Sequence, residues 1–342
     1  MRPAKRATQR DVARLANVST AVVSYVVNDG PRPTSPEVRR RVLAAIEELD
    51  YHPNGFARGL RAQRTHTVAF IVYDFHPVDS FTSHYLGPIT SGIIGDLTAH
   101  GYYLIIQPVK VGEDTESVER LLHSGRIDGA IMRMVQDPDA SDPLPDLIRA
   151  SGIACVGIER QGHPDFPAVL TDDESGAEAA TAHLIEKGHR RISLINGDPR
   201  FQTAHARDRG FRAAMTQAAL EIDESMVVYC NWSSTETIVA VRQLMAMPMP
   251  PTAIFCTSDD MAFGAMNALI YDGFRIPEDV AIVGFDDVTQ AQHLIPGLTT
   301  VRIPLVEIGR LAGTLVRASI EGQPIDPIQR ILPVELIQRG TT

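Results

Sequence analysis

Polar residues stand where strand-like runs end. Asp74 closes Val68–Tyr73, Glu159 and Arg160 close Ala154–Ile158, Ser258 and Asp259 follow Ala253–Cys256, and Asp286 and Asp287 follow Val280–Phe285. Open parallel sheets bind ligands beyond the C-terminal ends of their strands, so these residues could converge on one cleft. For any one of them solvation is the ordinary explanation; the convergence is the signal. A second set lies near the start, in Asn17–Asn28, NVSTAVVSYVVN. Val18, Val22, Val23 and Val26 recur at helical spacing despite the strand preference of valine. The other face carries Thr20, Ala21, Ser24 and Tyr25, small or hydrogen-bonding groups that can enter a DNA major groove. Reaction chemistry is poorly represented. No G-x-x-x-x-G-K-[ST], G-x-S-x-G or G-x-G-x-x-G is present. Acidic pairs such as Asp172-Asp173 and Asp286-Asp287 keep a hydrolase open only in principle, and His183 and His189 suit packing and helix ending. Cys155, Cys230 and Cys256 sit apart in apolar runs, as buried free thiols do, with no zinc spacing. No cofactor or metal is expected.

The elements that position this second set are short helices. Thr8 caps a helix over residues 9–16 with Asp11 completing an imperfect capping box, and Val12, Leu15 and Ala16 form its apolar face. Asn17 tolerates the left-handed turn that follows, and Ser19 caps Thr20–Val27. Helix, short turn, helix is a helix-turn-helix unit. After the break Asp29-Gly-Pro-Arg-Pro33, Ser35-Pro36-Glu37 starts a third helix whose stripe is Val38, Val42, Ile46 and Leu49. Charge agrees with a nucleic-acid role for this head. Residues 1–64 hold 12 Lys and Arg against 6 Asp and Glu, a net of +6, while residues 65–342 hold 20 against 36, a net of −16.

From residue 66 strands and helices alternate. Strands are expected at Val68–Tyr73, Tyr103–Gln107, Gly129–Met132 and Ala154–Ile158, with helices at 86–100, 115–124 and 143–151. A second run follows. Helices at 174–187, 206–220, 234–246 and 260–272 alternate with strands Ile192–Ile195, Met226–Tyr229, Ala253–Cys256 and Val280–Phe285. Two runs of βα units imply an α/β body of two parallel-sheet, Rossmann-like subdomains. No apolar run approaches a membrane span, and the basic start is followed by no signal-peptide h-region, so a cytoplasmic protein is expected.

The segments RDVARLANVSTAVVSYVVN and SPEVRRRVLAAIEELDYHPNGFARGLR resemble the lactose-repressor (LacI/GalR) family of bacterial transcription regulators. The family pattern is DVA-x-x-AGVS-x-x-TVSRVLN, then V-x-x-A-x-x-x-LGY-x-PN-x-x-AR-x-L. The resemblance implies an all-α helix-turn-helix domain over 1–52 and a hinge helix and linker over 53–65. An effector-binding and dimerisation domain would span 66–342, of the type I periplasmic-binding-protein kind. Its chain would cross between subdomains three times, with an N-subdomain of about 66–163 and 303–332 and a C-subdomain of about 164–302 and 333–342. The DNA surface it implies is Thr8, Ser19, Thr20, Ala21, Val22, Ser24, Tyr25 and Asn28 in the head. In the hinge it adds Asn54, Ala57, Arg58 and Leu60, the last an apolar wedge for the minor groove. This chain departs from the pattern. Asn17 replaces the turn glycine, Val22 a threonine and Tyr25 an arginine, so operator preference should differ from the family's common one.

The same resemblance sharpens the cleft. HARDRGF matches R-x-x-GF, making Arg207 the effector-clamping arginine, and GFDD matches G-[FY]-DD, making Asp286 the effector-binding carboxylate. Ser258 stands where asparagine is common in x-N-D-x-x-A-x-GA, and Asp173 replaces the asparagine of V-x-x-D-N-x-x-G. Ser83, His84 and Tyr85 occupy the usual Asn-Pro-Phe site. Trp232, the only tryptophan, falls where some members place an aromatic on the ligand, although a core or surface role is as common; Leu305 falls near a pocket wall. With Asp74 and Arg160 these complete the expected effector site. A carboxylate accepts from vicinal hydroxyls and a planar guanidinium donates in parallel pairs, so a sugar or sugar derivative is expected first and a nucleoside or purine second.

The sequence therefore reads as a ligand-responsive, sequence-specific regulator, a repressor that binds a near-palindromic double-stranded operator as a homodimer. The absence of a leucine-heptad tail favours a dimer over a tetramer. The rivals are a cytoplasmic small-molecule sensor whose head has lost DNA readout, a transport binding protein, which needs a signal peptide and no helix-turn-helix, and the hydrolase.

Overall fold

The computed structural model describes residues 7–27, 34–51, 64–73, 84–109, 115–133, 144–158 and 166–342. Asn28, Asn54, Ala57, Arg58 and Leu60 of the expected DNA surface lie outside the described residues, as do Asp74, Ser83 and Arg160 of the expected cleft. The chain divides into two bodies, Met1–Thr65 and His66–Thr342.

The first body holds helices α1 (Gln9–Leu15), α2 (Thr20–Val27) and α3 (Pro36–Glu48). Its caps are local. Thr8 Oγ1 accepts from Asp11 N while Asp11 Oδ2 accepts from Thr8 N at 3.0 Å, a complete capping box. Ser19 Oγ accepts from Val22 N and Ser35 Oγ from Val38 N, each at 3.3 Å. Asn17 takes the left-handed turn, with φ 52°. The core is Val12, Ala13, Ala16, Val23, Val26, Val42 and Ala45, with Val18, Val38, Ile46 and Leu49 packed around it. Leu15, expected on the apolar face, is instead 45% exposed. Ala13 and Ala16 take the buried positions because small side chains let α1 lie close to its neighbours.

The second body contains two six-stranded sheets. The first is built from β1 (Thr67–Tyr73), β2 (Tyr103–Val109), β3 (Gly129–Arg133), β4 (Ala154–Ile158) and β5 (Ala168–Thr171). Between them run helices α4 (Leu86–Ala99), α5 (Glu116–His123) and α6 (Leu144–Ser151). The second uses β6 (Ile192–Asn196), β7 (Val227–Tyr229), β8 (Ala253–Cys256), β9 (Ala281–Asp286) and β10 (Thr299–Arg302). Its helices are α7 (Asp173–Glu186), α8 (Gln202–Gln217), α9 (Ser234–Met245) and α10 (Asp259–Tyr271). Helix α11 (Leu305–Ile320) and strands β11 (Gln329–Leu332) and β12 (Glu335–Ile337) complete the chain. Strand order is β11-β5-β4-β3-β1-β2 and β12-β10-β9-β8-β6-β7. All pairings are parallel except β10 with β12.

The chain passes between the sheets three times, after Thr171, after Arg302 and after Leu332. The first passage falls later than the expected boundary near 163, because β5 pairs with β4 and β11 in the first sheet. Its four residues, AVLT, are too few to show a period. Sheet one changes direction of strand order between β1 and β3, and sheet two between β6 and β8, the places where ligands settle in such sheets. Helix α11 crosses α4 at close range. A Cβ on Gly309 would run into the Ile89 carbonyl, and one on Gly92 into the Val306 carbonyl. Asp96 ties the pair together, accepting from Arg317 Nε at 2.8 Å and Thr314 Oγ1 at 3.0 Å. Among the described residues no helix is long and apolar enough to cross a membrane.

Candidate functional site

In the head, the buried side of α2 is set by Val23 and Val26. That choice turns Thr20 and Ala21 outward and leaves Val22 and Tyr25 half-exposed, one helical turn apart. Two expectations change. Val22 is not part of the head core, and Ser24, expected on the groove-facing side, is buried at 7% exposure. Ser24 directly follows Val23 and lies three residues before Val27, so the packing of those valines draws it inward. Thr8 and Ser19 spend their hydroxyls on helix caps. Gln9 Nε2 donates to the Thr20 carbonyl at 2.9 Å and fixes α1 to the start of α2.

In the second body, the expected residues Asp173, Arg207, Trp232 and Asp286 come together. Arg207, buried on α8, donates from Nε to Asp173 Oδ1 at 2.8 Å, and its Nη2 lies 2.7 Å from the same oxygen. Nη1 donates to the Thr257 carbonyl at 2.5 Å and lies 3.7 Å from Asp286 Oδ1. The guanidinium stacks on Phe285, 3.9 Å from the ring centre, and stands 5.6 Å from the Trp232 ring. Burial alone would lower the Arg207 pKa, but the carboxylates of Asp173 and then Asp286 carry it above its ordinary value. Burial pushes the Asp286 carboxyl well up, Arg207 opposing and Asp259 adding.

The backbone delivers these groups through unusual conformations. Asp286 and Asp287 have φ of 115° and 53°. Such residues cost of order 1–3 kcal/mol each and persist where the surroundings over-determine them. Here Asp287 is pinned by Arg339 Nη2 at 2.6 Å and Arg302 Nε at 2.7 Å, and Asp259 Oδ2 accepts from Val288 N at 2.9 Å. Asn231 and Trp232 are also left-handed. They lay the indole over Gly197, where a Cβ would overlap the ring. Two buried polar atoms in this cluster, Trp232 Nε1 and Asp286 Oδ1, have no hydrogen-bond partner among the described residues.

The other expected residues are placed as follows. Tyr85 precedes α4, with the Arg133 guanidinium 5.4 Å from its ring centre. Ser258 is buried and caps α10, its Oγ accepting from Met261 N at 3.3 Å. Leu305 opens α11 and is buried in the main core.

Sequence reasoning missed Phe201, Arg133 and the His84–Asp260 contact. Phe201 packs edge-on to Trp232 and lies 4.7 Å beneath the Arg133 guanidinium. His84 Nδ1 lies 3.0 Å from Asp260 Oδ1, joining the α4 side of the cleft to the α10 side. Arg133 ends β3, so the strand-end rule applied to the other strands would have found it. Phe201 carries no such signal.

A head of three capped helices and a two-sheet body with a buried charged and aromatic cluster define a DNA-binding sensor protein. The comparisons give its family. Residues 8–54 match the bacterial regulatory proteins of the lacI family, and residues 181–342 the periplasmic binding protein-like domain. The HTH-type transcriptional regulator CelR of Thermobifida fusca is 33% identical over 338 residues, 98% of each chain. The repressor CytR of Escherichia coli strain K12 is 32% identical over 342 residues, 98% of this chain and 96% of the relative. Among solved structures, a CelR–cellobiose complex is 32% identical, covers 98% of this chain and 100% of that one, and superposes with a TM-score of 0.76. The lac repressor dimer bound to operator and the anti-inducer ONPF is 25% identical, covers 98% and 99%, and has a TM-score of 0.86. The chain belongs to the LacI family and is a DNA-binding transcriptional regulator.

Proposed function

We propose that the chain acts in the cytoplasm as a homodimeric repressor whose operator affinity is set by a sugar or sugar derivative held in the cleft. Arg207, Asp286, Trp232 and Tyr85 are its effector contacts, with Asp74, Ser83 and Arg160 as further contacts. Thr20, Ala21, Val22 and Tyr25 meet the major groove, and the 53–65 hinge sets Leu60 against the minor groove. The observation that carries the reading is a buried acceptor, Asp286 Oδ1, and a buried donor, Trp232 Nε1, each near the Arg207 guanidinium and neither hydrogen-bonded among the described residues. Left unmade, such bonds cost about 1–3 kcal/mol each, and adjacent hydroxyls supply both partners. The CelR structure titled as a cellobiose complex supports the same ligand class. A nucleoside is the second reading, favoured by the aromatic rings of Trp232, Phe201 and Tyr85 around the cleft.

The test is fluorescence anisotropy of the protein on DNA from its own upstream region, with and without a panel of sugars and nucleosides. Specific binding altered by one neutral sugar is expected. Binding altered only by a purine or nucleoside would replace the sugar reading. No specific binding at low salt would make the chain a sensor whose head does not read DNA.

A further inference from the structure

Asp173 stands out in the cleft cluster because it consumes the group that should bind ligand. Each nitrogen of the Arg207 guanidinium is already engaged by the protein, Nε and Nη2 by Asp173 Oδ1 and Nη1 by the Thr257 carbonyl. Asp286 Oδ1 lies 3.7 Å beyond. One buried cation thus faces two buried carboxylates, and both are at least nine-tenths removed from solvent. What remains unpartnered on this wall is an acceptor, Asp286 Oδ1, and a donor, Trp232 Nε1. That pair fits a group carrying neighbouring hydroxyls, one donating and one accepting. A carboxylate or phosphate here would meet the Asp173 carboxylate in order to reach one guanidinium whose charge that carboxylate already matches.

We propose that Asp173 is a specificity-determining residue, which by neutralising Arg207 makes this wall take an uncharged, hydroxyl-bearing end of the effector and refuse an anionic one. The proposal rests on the reading that the Arg207 wall belongs to the effector site. Asparagine is nearly the same shape. Its amide oxygen keeps an acceptor for Arg207 Nε, and its NH2 can donate to Thr171 Oγ1, which now donates to Asp173 Oδ2 at 2.6 Å. The substitution therefore changes charge more than structure.

Trp232 is the only tryptophan, so its emission reports this wall alone. Collisional quenching of the ligand-free, full-length protein by iodide, caesium and acrylamide reads the local potential. Free N-acetyltryptophanamide is the reference and acrylamide corrects for access. Caesium should quench more effectively than iodide in the wild type. Asp173→Asn should raise the iodide-to-caesium ratio about twofold at low salt, where an added unit charge a few ångströms away is least screened. A wild-type wall that favours iodide overturns the proposal, and so does a ratio that the folded variant leaves unchanged. If the variant does not fold, the wild-type ratio decides alone. Failure of the underlying reading looks different: compounds that change operator affinity would leave Trp232 emission untouched while the quenching result stood.

Discussion

Replacing Asp259 by asparagine tests how the cleft stores charge. Asp259 is fully buried at the first position of α10, where it accepts from Thr300 Oγ1 at 2.6 Å and Val288 N at 2.9 Å. Two donors and a helix N-terminus favour the carboxylate. Burial, with Asp287 and Asp260 nearby, favours the acid and wins, pushing the pKa from 3.8 to about 7. A carboxyl whose folded pKa is raised stabilises the fold fully below its unfolded pKa. That contribution is lost as pH rises through the folded value. At roughly 1.4 kcal/mol per pH unit, the wild type should lose about 2 kcal/mol through this group between about pH 5.5 and 8.5.

Asparagine retains an oxygen for Val288 N–H and can turn its amide to the Thr300 hydroxyl, so Asp259→Asn should fold and lose this slope. The assay is urea unfolding followed by Trp232 emission across that window, in both proteins. His183 and His189 act in the opposite sense. Burial lowers their pKa values, so their contribution is lost as pH falls through the acid side of 6.5. They are the same in both proteins and cancel in the difference curve. A flat difference curve would falsify the reasoning, because it would mean that the two donors and the helix terminus hold Asp259 ionised after all.

Arg207→Ala would leave Asp173 and Asp286 buried without their cation, and should cost about 3–5 kcal/mol, read as a lower urea midpoint. Tyr25→Arg adds a side chain that can pair with guanine, and should shift preference at one base pair by about 1–3 kcal/mol, measured by anisotropy on singly substituted operators. Gly309→Ala should lower stability by about 1–3 kcal/mol in calorimetry by forcing α11 off the Ile89 carbonyl, whereas Val306→Ala, at an exposed position of α11, should change it far less. Operator affinity should fall steeply with salt, given the +6 net charge of residues 1–64.

The elements were legible where local signals agree. Ser19 and Ser35 announce α2 and α3 by capping chemistry, and uninterrupted apolar runs such as those of Ala253–Cys256 and Ala281–Asp286 read as buried strands. The strands of the last part of the chain were not read. Strands β10, β11 and β12 have three or four residues each, and their identity comes from partners far away in sequence. The site was half legible. Arg207, Asp286, Asp173 and Trp232 were found as separate motifs, yet nothing in those motifs says that Asp173 and Arg207 bond to each other. Ser24 and Val22 were exchanged for a simpler reason. A helix of valines has apolar residues on more than one side, and only the packing of α1 and α3 decides which of them turns inward.

The two carboxylates that hold Arg207 both stand beside passages between the sheets. Asp173 stands two residues past the end of β5, where Thr171 donates to it and Asp172 N donates to the Leu332 carbonyl at the end of β11. Asp286 ends β9, its carbonyl accepting from Ile303 N at 3.3 Å, where β10 leaves for α11. Arg302, the last residue of β10, pairs with Asp287. A ligand that draws Asp286 or Arg207 into new hydrogen bonds therefore pulls on the very segments that connect the two sheets. Residues buried deep in either sheet could not do this, because close-packed strands resist small displacements. With the proposed effector site at these passages, a few hydrogen bonds would act on the relative position of the two sheets. A ligand with equal affinity for both positions would shift nothing, so the coupling is carried by those contacts that only one position satisfies.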